Sequence, residues 1–260
     1  MTHTNIDEPT LSEEEGIRYL HFGSAWVQGA MDLEQPERLV LEYTRHMMAW
    51  LLFIDPQPSH KVAMLGLGAG GLLRFTLANT PVEVHTIERN ARVIQACEIW
   101  FDLPNLPRSH IHYQDAESWL NDSSSESVQV LQVDLYDTHA QGPVCDSLNF
   151  YKNCHRVLQN DGLMLVNLFG NHASYDYNVQ RMSQAFGGRI ICLPETFAGN
   201  VVAIGFGANI LQQQTVQQVL DRAKALEQRY NFPALHWARH ILKNCHTKSP
   251  SGFEVYSQES

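Results

Sequence analysis

Two aspartates, Asp134 and Asp137, lie three positions apart just after an apolar segment at residues 128–133. At the end of a strand, such a pair of carboxylates could hold an ammonium group, or one of them could accept a proton from an amine. A capped turn with two solvated acids would show the same residues. The pair is therefore a candidate site for a positively charged nitrogen.

A glycine-rich segment follows an earlier apolar run at residues 62–65. Its glycines are Gly66, Gly68, Gly70 and Gly71, and a helix-like segment comes next. Glycine tolerates positive φ and has no Cβ, so the backbone can turn sharply there and contact a ligand. A helix start adds unpaired N–H groups and a partial positive charge. The pattern favours a nucleotide-binding turn, although a strand-to-helix turn without a ligand would need similar glycines.

Two further acids follow predicted strands. Glu88 ends the segment at residues 82–88, at the separation from the glycines where nucleotide-binding folds place the carboxylate that holds a ribose diol. Asp115 follows the segment at residues 109–113, and it could also cap the short helix after it. In open α/β sheets, ligands bind at the carboxyl ends of the strands. Because four such strand ends carry either a glycine turn or an acid, the sequence predicts a ligand-binding site at this edge of the sheet.

These residues must be positioned by strands and helices that alternate from residue 61 onward. The predicted strands are 61–66, 82–88, 109–113, 128–133 and 162–169. The helices that follow them are 71–78, 90–101, 115–120, 147–158 and 173–186. Such alternation predicts a parallel, doubly wound sheet with right-handed crossovers.

The alternation then gives way to two strands, 189–193 and 200–205, which are separated only by a loop and should pair as an antiparallel hairpin. Sheets that bind S-adenosylmethionine (SAM) end with such a reversed strand, whereas dinucleotide-binding sheets usually keep alternating. Helices at 213–230 and 233–244 follow. The sequence thus predicts an α/β fold with a Rossmann-like doubly wound sheet of the SAM-methyltransferase type, mostly parallel with a C-terminal antiparallel hairpin.

The remaining segments flank this sheet. The predicted division is a disordered acidic tail at 1–15, a short β-hairpin and helix at 16–58, a Rossmann-like catalytic domain at 59–245 and a C-terminal tail at 246–260. The N-terminal hairpin is predicted from β-rich segments at 17–23 and 25–29. Pro36 suits the first turn of the helix that follows.

Composition excludes several classes of protein. A net charge of -10 with no block of Lys and Arg counts against a nucleic-acid-binding surface. No apolar run is long enough to span a bilayer, and the N-terminus has no apolar signal core, so neither membrane binding nor export is expected. The 5 cysteines never form a C-x-x-C pattern, which predicts reduced thiols in a cytoplasmic protein and no metal site. The 13 histidines are dispersed and are expected at the surface or in the core.

Two segments together resemble the spermidine synthase (polyamine aminopropyltransferase) family. Residues 128–143 contain Asp134-Leu-Tyr-Asp137 and end in Gly-Pro, where the family has D-[ST]-[ST]-D-P and then G-P. The helix after them ends in Arg156-Val-Leu, and Gly162 follows after three intervening residues, as in the family's R-V-L-x-x-x-G. The resemblance runs from residue 62 to residue 169 and is weaker before that.

The resemblance implies a role for each candidate residue. Glu88 would hold the ribose of decarboxylated SAM, and Asp115 would receive its adenine amino group. Asp134 would be the base that frees the nitrogen of a polyamine. The glycine turn would cradle the nucleoside, and the amine side of the pocket would include Asp137, Tyr43 and Gln28. Decarboxylated SAM (or SAM) would be a co-substrate, without a metal or a tightly bound cofactor. The family commonly dimerises through its N-terminal part, which is short here, so a homodimer is a possible assembly.

The departures from the family pattern all concern recognition of the amine. Ala69 replaces the Asp of the family's G-G-G-D-G-G loop, which binds the amino group of the donor, and Leu135 and Tyr136 replace two hydroxyl residues. Three alternatives therefore stay open. A SAM-dependent methyltransferase would suit Ala69, because an acid there would repel a donor that keeps its carboxylate. A nucleoside-binding relative without turnover is the second. The third, a nicotinamide oxidoreductase, is disfavoured by the terminal hairpin.

Overall fold

A computed structural model of the chain describes residues 8–136, 145–247 and 252–255. Asp137, one of the predicted amine-binding residues, lies outside the described residues. Within the described part of the chain, no helix combines the length and the apolar character needed to cross a membrane.

The described chain begins with three antiparallel strands, β1 (Pro9–Glu14), β2 (Ile17–Phe22) and β3 (Gly29–Asp32). The predicted acidic tail at 1–15 is therefore wrong for residues 9–14, and the predicted hairpin is a three-stranded sheet. Glu15 and Gly16 have φ of 49° and 77°. They form a two-residue turn of the type that suits the twist of a β-hairpin. Backbone pairing with β2 thus holds β1 in place, although five of its six side chains are exposed.

The helix predicted at Pro36 begins later in the structure. Asp32 Oδ1 accepts hydrogen bonds from the backbone N–H groups of Glu34 and Gln35 at 2.9 and 3.0 Å, and this arrangement is a turn. Helix α1 (Glu42–His46) comes after it and is followed by a 3-10 turn at Ala49–Leu52. The short α1 carries Tyr43 to the edge of the central sheet.

A seven-stranded sheet forms the centre of the fold. Its strands are β4 (Lys61–Leu65), β5 (Glu83–Glu88), β6 (Ser109–Tyr113), β7 (Val128–Val133), β8 (Leu158–Phe169), β9 (Ile190–Cys192) and β10 (Asn200–Phe206). Their spatial order is β6-β5-β4-β7-β8-β10-β9. The first five strands in this order are parallel, whereas β10 is antiparallel to both β8 and β9. The predicted doubly wound sheet with a terminal antiparallel hairpin is confirmed.

Helices cover both faces of this sheet. They are α2 (Gly71–Asn79), α3 (Ala91–Trp100), α4 (Ala116–Asp122), α5 (Leu148–Val157), α6 (Tyr175–Phe186), α7 (Val216–Tyr230) and α8 (Ala234–Lys243), with a 3-10 turn at Leu211–Gln213. Val62 and Met64 of β4 belong to one apolar cluster, and Ala63 and Leu65 belong to the other. Strands buried on both faces are continuously apolar for this reason. The two apolar clusters, one on each face of the sheet, therefore hold in place the strand ends that carry the candidate residues.

The C-terminal segment is not a loose tail throughout. Strands β11 (Cys245–Thr247) and β12 (Phe253–Val255) pair in an antiparallel sheet. Phe253 is 1% exposed and lies in the same apolar cluster as α7 and α8. The prediction of a tail at 246–260 is thus wrong for these strands, because burial of one aromatic ring anchors the segment.

Candidate active site

A cavity of about 910 Å³ opens at the carboxyl ends of the parallel strands. Most of the residues predicted from the sequence line it together: Gln28, Tyr43, Gly66, Gly68, Glu88, Asp115 and Asp134. Gly70 is not part of this wall; it has a φ of 72° and is the residue from which α2 begins. The fold therefore brings candidate residues from six separate elements and loops to one place.

Asp134 follows β7 directly and is held by three hydrogen bonds. The hydroxyl of Tyr43 donates to Oδ2 at 3.0 Å, and Nδ2 of Asn167 donates to Oδ1 at 2.9 Å. The backbone N–H of Asp134 donates to the carbonyl of Leu65 at 2.9 Å, which fixes the start of the loop. Both carboxylate oxygens are thus oriented by neutral donors.

The amide of Asn200, which is partly buried, orients Asn167 in turn. Nδ2 of Asn200 donates to Oδ1 of Asn167 at 3.1 Å, so the other end of that amide, Nδ2, is the end that meets Asp134. The hydroxyl of Tyr136 donates to the backbone carbonyl of Asn167 at 2.9 Å. Asn167 and Asn200 are not among the site residues predicted from the sequence. An available signal was a single amide within the apolar run of β8, which a buried strand does not need for packing.

The environment of Asp134 disfavours its charged form. Burial raises the pKa of Asp134, and the hydrogen bonds from Asn167 and Tyr43 offset part of this rise. Burial, together with the neighbouring carboxylate, raises the pKa of Tyr43 well above its ordinary value, so this hydroxyl stays protonated as a donor. Among the described residues, no Lys, Arg or His is a charge partner of Asp134. A cation that entered the cavity would therefore gain a strong interaction here.

The glycine turn owes its residue types to close backbone contacts. Gly66 has a φ of 98°, and a Cβ at this position would lie 2.3 Å from the carbonyl oxygen of Asp134. Gly68 has a φ of 51°, and its Cβ would lie 3.0 Å from the carbonyl oxygen of Gln28. The turn therefore packs against the two loops that carry Asp134 and Gln28, and a larger residue at Gly66 would push the first of them away.

Glu88 ends β5 and is partly buried in the cavity wall. Its Oε2 accepts from the backbone N–H of Leu67 at 3.2 Å, and its Oε1 accepts from the backbone N–H of Asn90 at 2.8 Å. Burial raises the pKa of Glu88, while these two hydrogen bonds act in the opposite direction. The carboxylate thus connects the glycine turn to the start of α3 from a position at the cavity.

Asp115 is exposed at the rim of the cavity and caps α4. Its Oδ1 accepts from the backbone N–H groups of Glu117 and Ser118 at 2.9 and 3.2 Å. The capping role considered from the sequence is confirmed, and it coexists with a position in the cavity wall. A ligand that meets Asp115 would meet a carboxylate held rigid by the helix.

Ala69 lies away from the large cavity and is 3% exposed. A Cβ on Gly29 would lie 2.6 Å from the Cβ of Ala69, so β3 packs directly against this part of the glycine turn. Ala69 borders a second cavity of about 20 Å³, together with Tyr43 and Asp134. Asp134 is the only acid among the described residues that line it.

The chain is 32% identical over 234 residues to a polyamine aminopropyltransferase of Neisseria meningitidis serogroup A, and the match covers 88% of this chain and 87% of that relative. A probable spermidine synthase from Corynebacterium glutamicum has a similar structure, with a TM-score of 0.66 and 18% identity over 95% of this chain and 87% of that one. The structure of a spermidine synthase in complex with the transition-state analogue AdoDATO is also similar, with a TM-score of 0.62 and 18% identity. The match covers 89% of this chain and 84% of that one. None of the protein-family models compared with the chain matches it. The two structural similarities support the fold, and the identity to the relative over most of both chains establishes the family. The chain belongs to the polyamine aminopropyltransferase family.

Proposed function

We propose that this chain transfers an aminopropyl group from decarboxylated SAM to an amine, with Asp134 as the base. The observation that carries the proposal is the setting of Asp134 in the cavity. Its carboxylate is oriented by Tyr43 and Asn167, and among the described residues it has no basic side chain as a charge partner. An amine that carries a proton fits this setting, because it supplies both the missing charge and the proton to be removed.

The nucleoside half of the proposed donor would lie along β4, β5 and β6. The glycine turn at Gly66 and Gly68 leaves room for a ligand close to the backbone, and Glu88 would accept hydrogen bonds from the ribose diol. Asp115 would accept a hydrogen bond from the adenine amino group at the rim. The similar spermidine synthase structure that holds AdoDATO supports this half of the proposal.

The chemistry follows from the state of the acceptor. A protonated amine has no lone pair, so it must lose a proton before it attacks. Asp134 would take that proton as the nitrogen attacks the propyl carbon bound to the sulfonium. The new C–N bond forms, the C–S bond breaks, and its electron pair stays on sulfur in neutral methylthioadenosine. A carboxylate is a weak base for an amine, so positioning by Tyr43 and Asn167 must contribute much of the rate.

Methyl transfer from SAM is the alternative that a specific observation favours. Ala69 places no carboxylate at the position where the family binds the amino group of the donor. An acid there would repel the carboxylate of SAM, and its absence removes that obstacle. Asp134 is the only acid among the described residues that border the small cavity beside Ala69, and the aminopropyl proposal already assigns it to the acceptor amine. That proposal therefore leaves the donor's ammonium group without a carboxylate of its own at this position.

The experiment compares donors and then tests the base. Purified protein is incubated with decarboxylated SAM and putrescine, and methylthioadenosine is measured; the same assay with SAM tests methyl transfer through the release of S-adenosylhomocysteine. We expect methylthioadenosine from the decarboxylated donor only. Asp134→Asn should lower this rate on the order of 10²- to 10⁴-fold.

Asp221→Asn is the matched control, because Asp221 lies on the exposed face of α7 and the substitution is chemically identical. A wild-type protein that releases no methylthioadenosine would contradict the proposal. Release of S-adenosylhomocysteine with SAM would favour methyl transfer instead. Binding of methylthioadenosine without turnover of either donor would indicate a nucleoside-binding relative.

A further inference from the structure

Three histidines and one glutamate meet on one face of the β5–β6 edge of the central sheet. His85 of β5 pairs with His110 of β6 in the parallel register. Glu83 and His112 are each two residues from one of this pair, so all four side chains point to the same face. These histidines are dispersed in the sequence, and the register of two strands brings them together.

The potential ligand atoms already lie close to one another. Nε2 of His85 lies 2.9 Å from Oε1 of Glu83, and Nε2 of His110 lies 3.3 Å from the same oxygen. One ligand atom from each of these three residues lies within 4.8 Å of the others. Tetrahedral zinc with ligands at about 2.0–2.2 Å requires separations of roughly 3.3 Å between them. Small side-chain rotations would therefore bring the three into coordination distance.

His112 provides the support that a coordinating histidine needs. Its Nε2 lies 3.0 Å from Nδ1 of His85, and the two rings are stacked with an angle of 11° between their planes. When Nε2 of His85 binds a metal, its Nδ1–H can donate to His112, which fixes the ring and its tautomer.

The cluster of Glu83, His85 and His110 is accessible to ions from solvent, and the side chain of Lys61 is a cation that competes with a metal for Glu83. Glu83, His85 and His110 are all partly exposed, so an ion can reach them from solvent. The ammonium of Lys61 lies 4.0 Å from Oε1 of Glu83, and its side chain is 47% exposed. A bound metal would meet repulsion from this charge, which solvent screens in part.

We propose that Glu83, His85 and His110 bind a divalent transition-metal ion, with zinc as the best match and water in the fourth position. Two imidazole nitrogens and one carboxylate oxygen suit zinc, and cobalt can replace it as a spectroscopic probe. The ion would link β5 to β6, whose ends carry Glu88 and Asp115 at the cavity. Its role is therefore to stabilise the folded sheet edge, since an ion that binds only the folded state raises its stability.

The test uses the full chain after dialysis against a chelator. Zinc binding is measured by calorimetry, cobalt binding by visible absorption, and the melting temperature is recorded with and without zinc. We expect one zinc per chain, a tetrahedral cobalt spectrum and a higher melting temperature with zinc. His110→Ala should weaken zinc binding by at least about 100-fold, and His112→Ala should weaken it by about 10- to 100-fold. Circular dichroism checks that each variant is folded.

Two further variants sharpen the result. His236→Ala removes an exposed histidine of α8 and should leave zinc affinity unchanged. Lys61→Gln should strengthen binding several-fold, because it removes the competing charge while the ligands remain. Equal zinc affinity in wild type and His110→Ala would overturn the proposal. So would the absence of stoichiometric binding, or a cobalt–thiolate band that assigns the metal to cysteine.

Discussion

The hydroxyl of Tyr43 lies 3.0 Å from Oδ2 of Asp134, although 91 positions separate the two residues in the chain. Tyr43 is in the first turn of the short helix α1, and Asp134 follows β7 of the central sheet. The hydrogen bond therefore connects the N-terminal part of the chain to the sheet at the proposed base. It also lowers the pKa of a carboxylate that burial raises.

Tyr43→Phe should shift the pH dependence of the reaction. Loss of the hydroxyl removes one of the two hydrogen bonds that lower the pKa of Asp134, so this pKa rises further. The reaction needs the ionised carboxylate, and the acidic limb of the kcat/KM profile should move to higher pH. At pH 7, kcat/KM should fall by about tenfold or more, since hydrogen bonds to charged groups contribute about 1.5–3 kcal/mol. Tyr230→Phe on α7 is the control, and an acidic limb that does not move would contradict the expectation.

Asp134→Asn should lose activity without losing stability at alkaline pH. Burial raises the pKa of the folded-state carboxylate above its ordinary value of 3.8. The folded state therefore binds a proton more tightly than the unfolded state, and wild-type stability falls as the pH rises through the raised pKa. Asparagine is never charged, so the variant should be at least as stable as wild type at pH 8. Its advantage should shrink as the pH is lowered toward 4. Urea unfolding at several pH values measures the difference, and a variant that is less stable at pH 8 would show that this account is wrong.

Two substitutions at Asp115 should separate its two roles. Asparagine caps a helix about as well as aspartate, whereas alanine costs about 1 kcal/mol. Asp115→Asn should therefore keep the free energy of unfolding within a few tenths of a kcal/mol. The loss of charge should still weaken methylthioadenosine binding by about tenfold. Asp115→Ala should lower both the free energy of unfolding and the affinity for methylthioadenosine. Calorimetry and urea unfolding measure the two quantities, and wild-type affinity in Asp115→Asn would place adenine elsewhere.

Gly66→Ala should be more damaging than a glycine substitution with a similar φ elsewhere. Gly66 and Gly188 have φ of 98° and 80°, but a Cβ on Gly188 meets nothing within 4 Å. Gly188→Ala should cost about 1–2 kcal/mol for the left-handed backbone alone. Gly66→Ala adds the overlap with the carbonyl of Asp134, for a total of at least about 3 kcal/mol, and should displace the base. Chemical unfolding and the methylthioadenosine assay check both effects. Equal costs would mean that the contact with Asp134 is unimportant.

The central sheet and part of the site could be predicted because they depend on local patterns. Continuous apolar segments mark the parallel strands, and Gly66 and Asp134 follow two of them directly. The hairpin of β9 and β10 could be identified from the absence of a helix between two strands. Such features depend on residues close in the chain, and the structure places them as expected.

Other parts could not be predicted because they depend on partners distant in the chain. Strand β1 is mostly exposed, and its pairing with β2 along its whole length defines it. Asn167 and Asn200 meet across the β8–β10 pair, and His85 and His110 meet across β5–β6. Registers between strands determine these contacts, and the sequence around each residue gives little information on them.

The antiparallel strand β10 has a second role, because its Asn200 donates a hydrogen bond to Asn167, which in turn donates to Asp134. This strand distinguishes the topology of the sheet, and it also directs the amide that orients a carboxylate oxygen two strands away. Changes in the β9–β10 hairpin are therefore not confined to the periphery of the molecule. A one-residue shift of β10 against β8 would turn Asn200 to the opposite side of the sheet and remove the hydrogen bond that it donates to Oδ1 of Asn167. The geometry of the outermost hairpin thus helps to set the orientation of the carboxylate in the cavity.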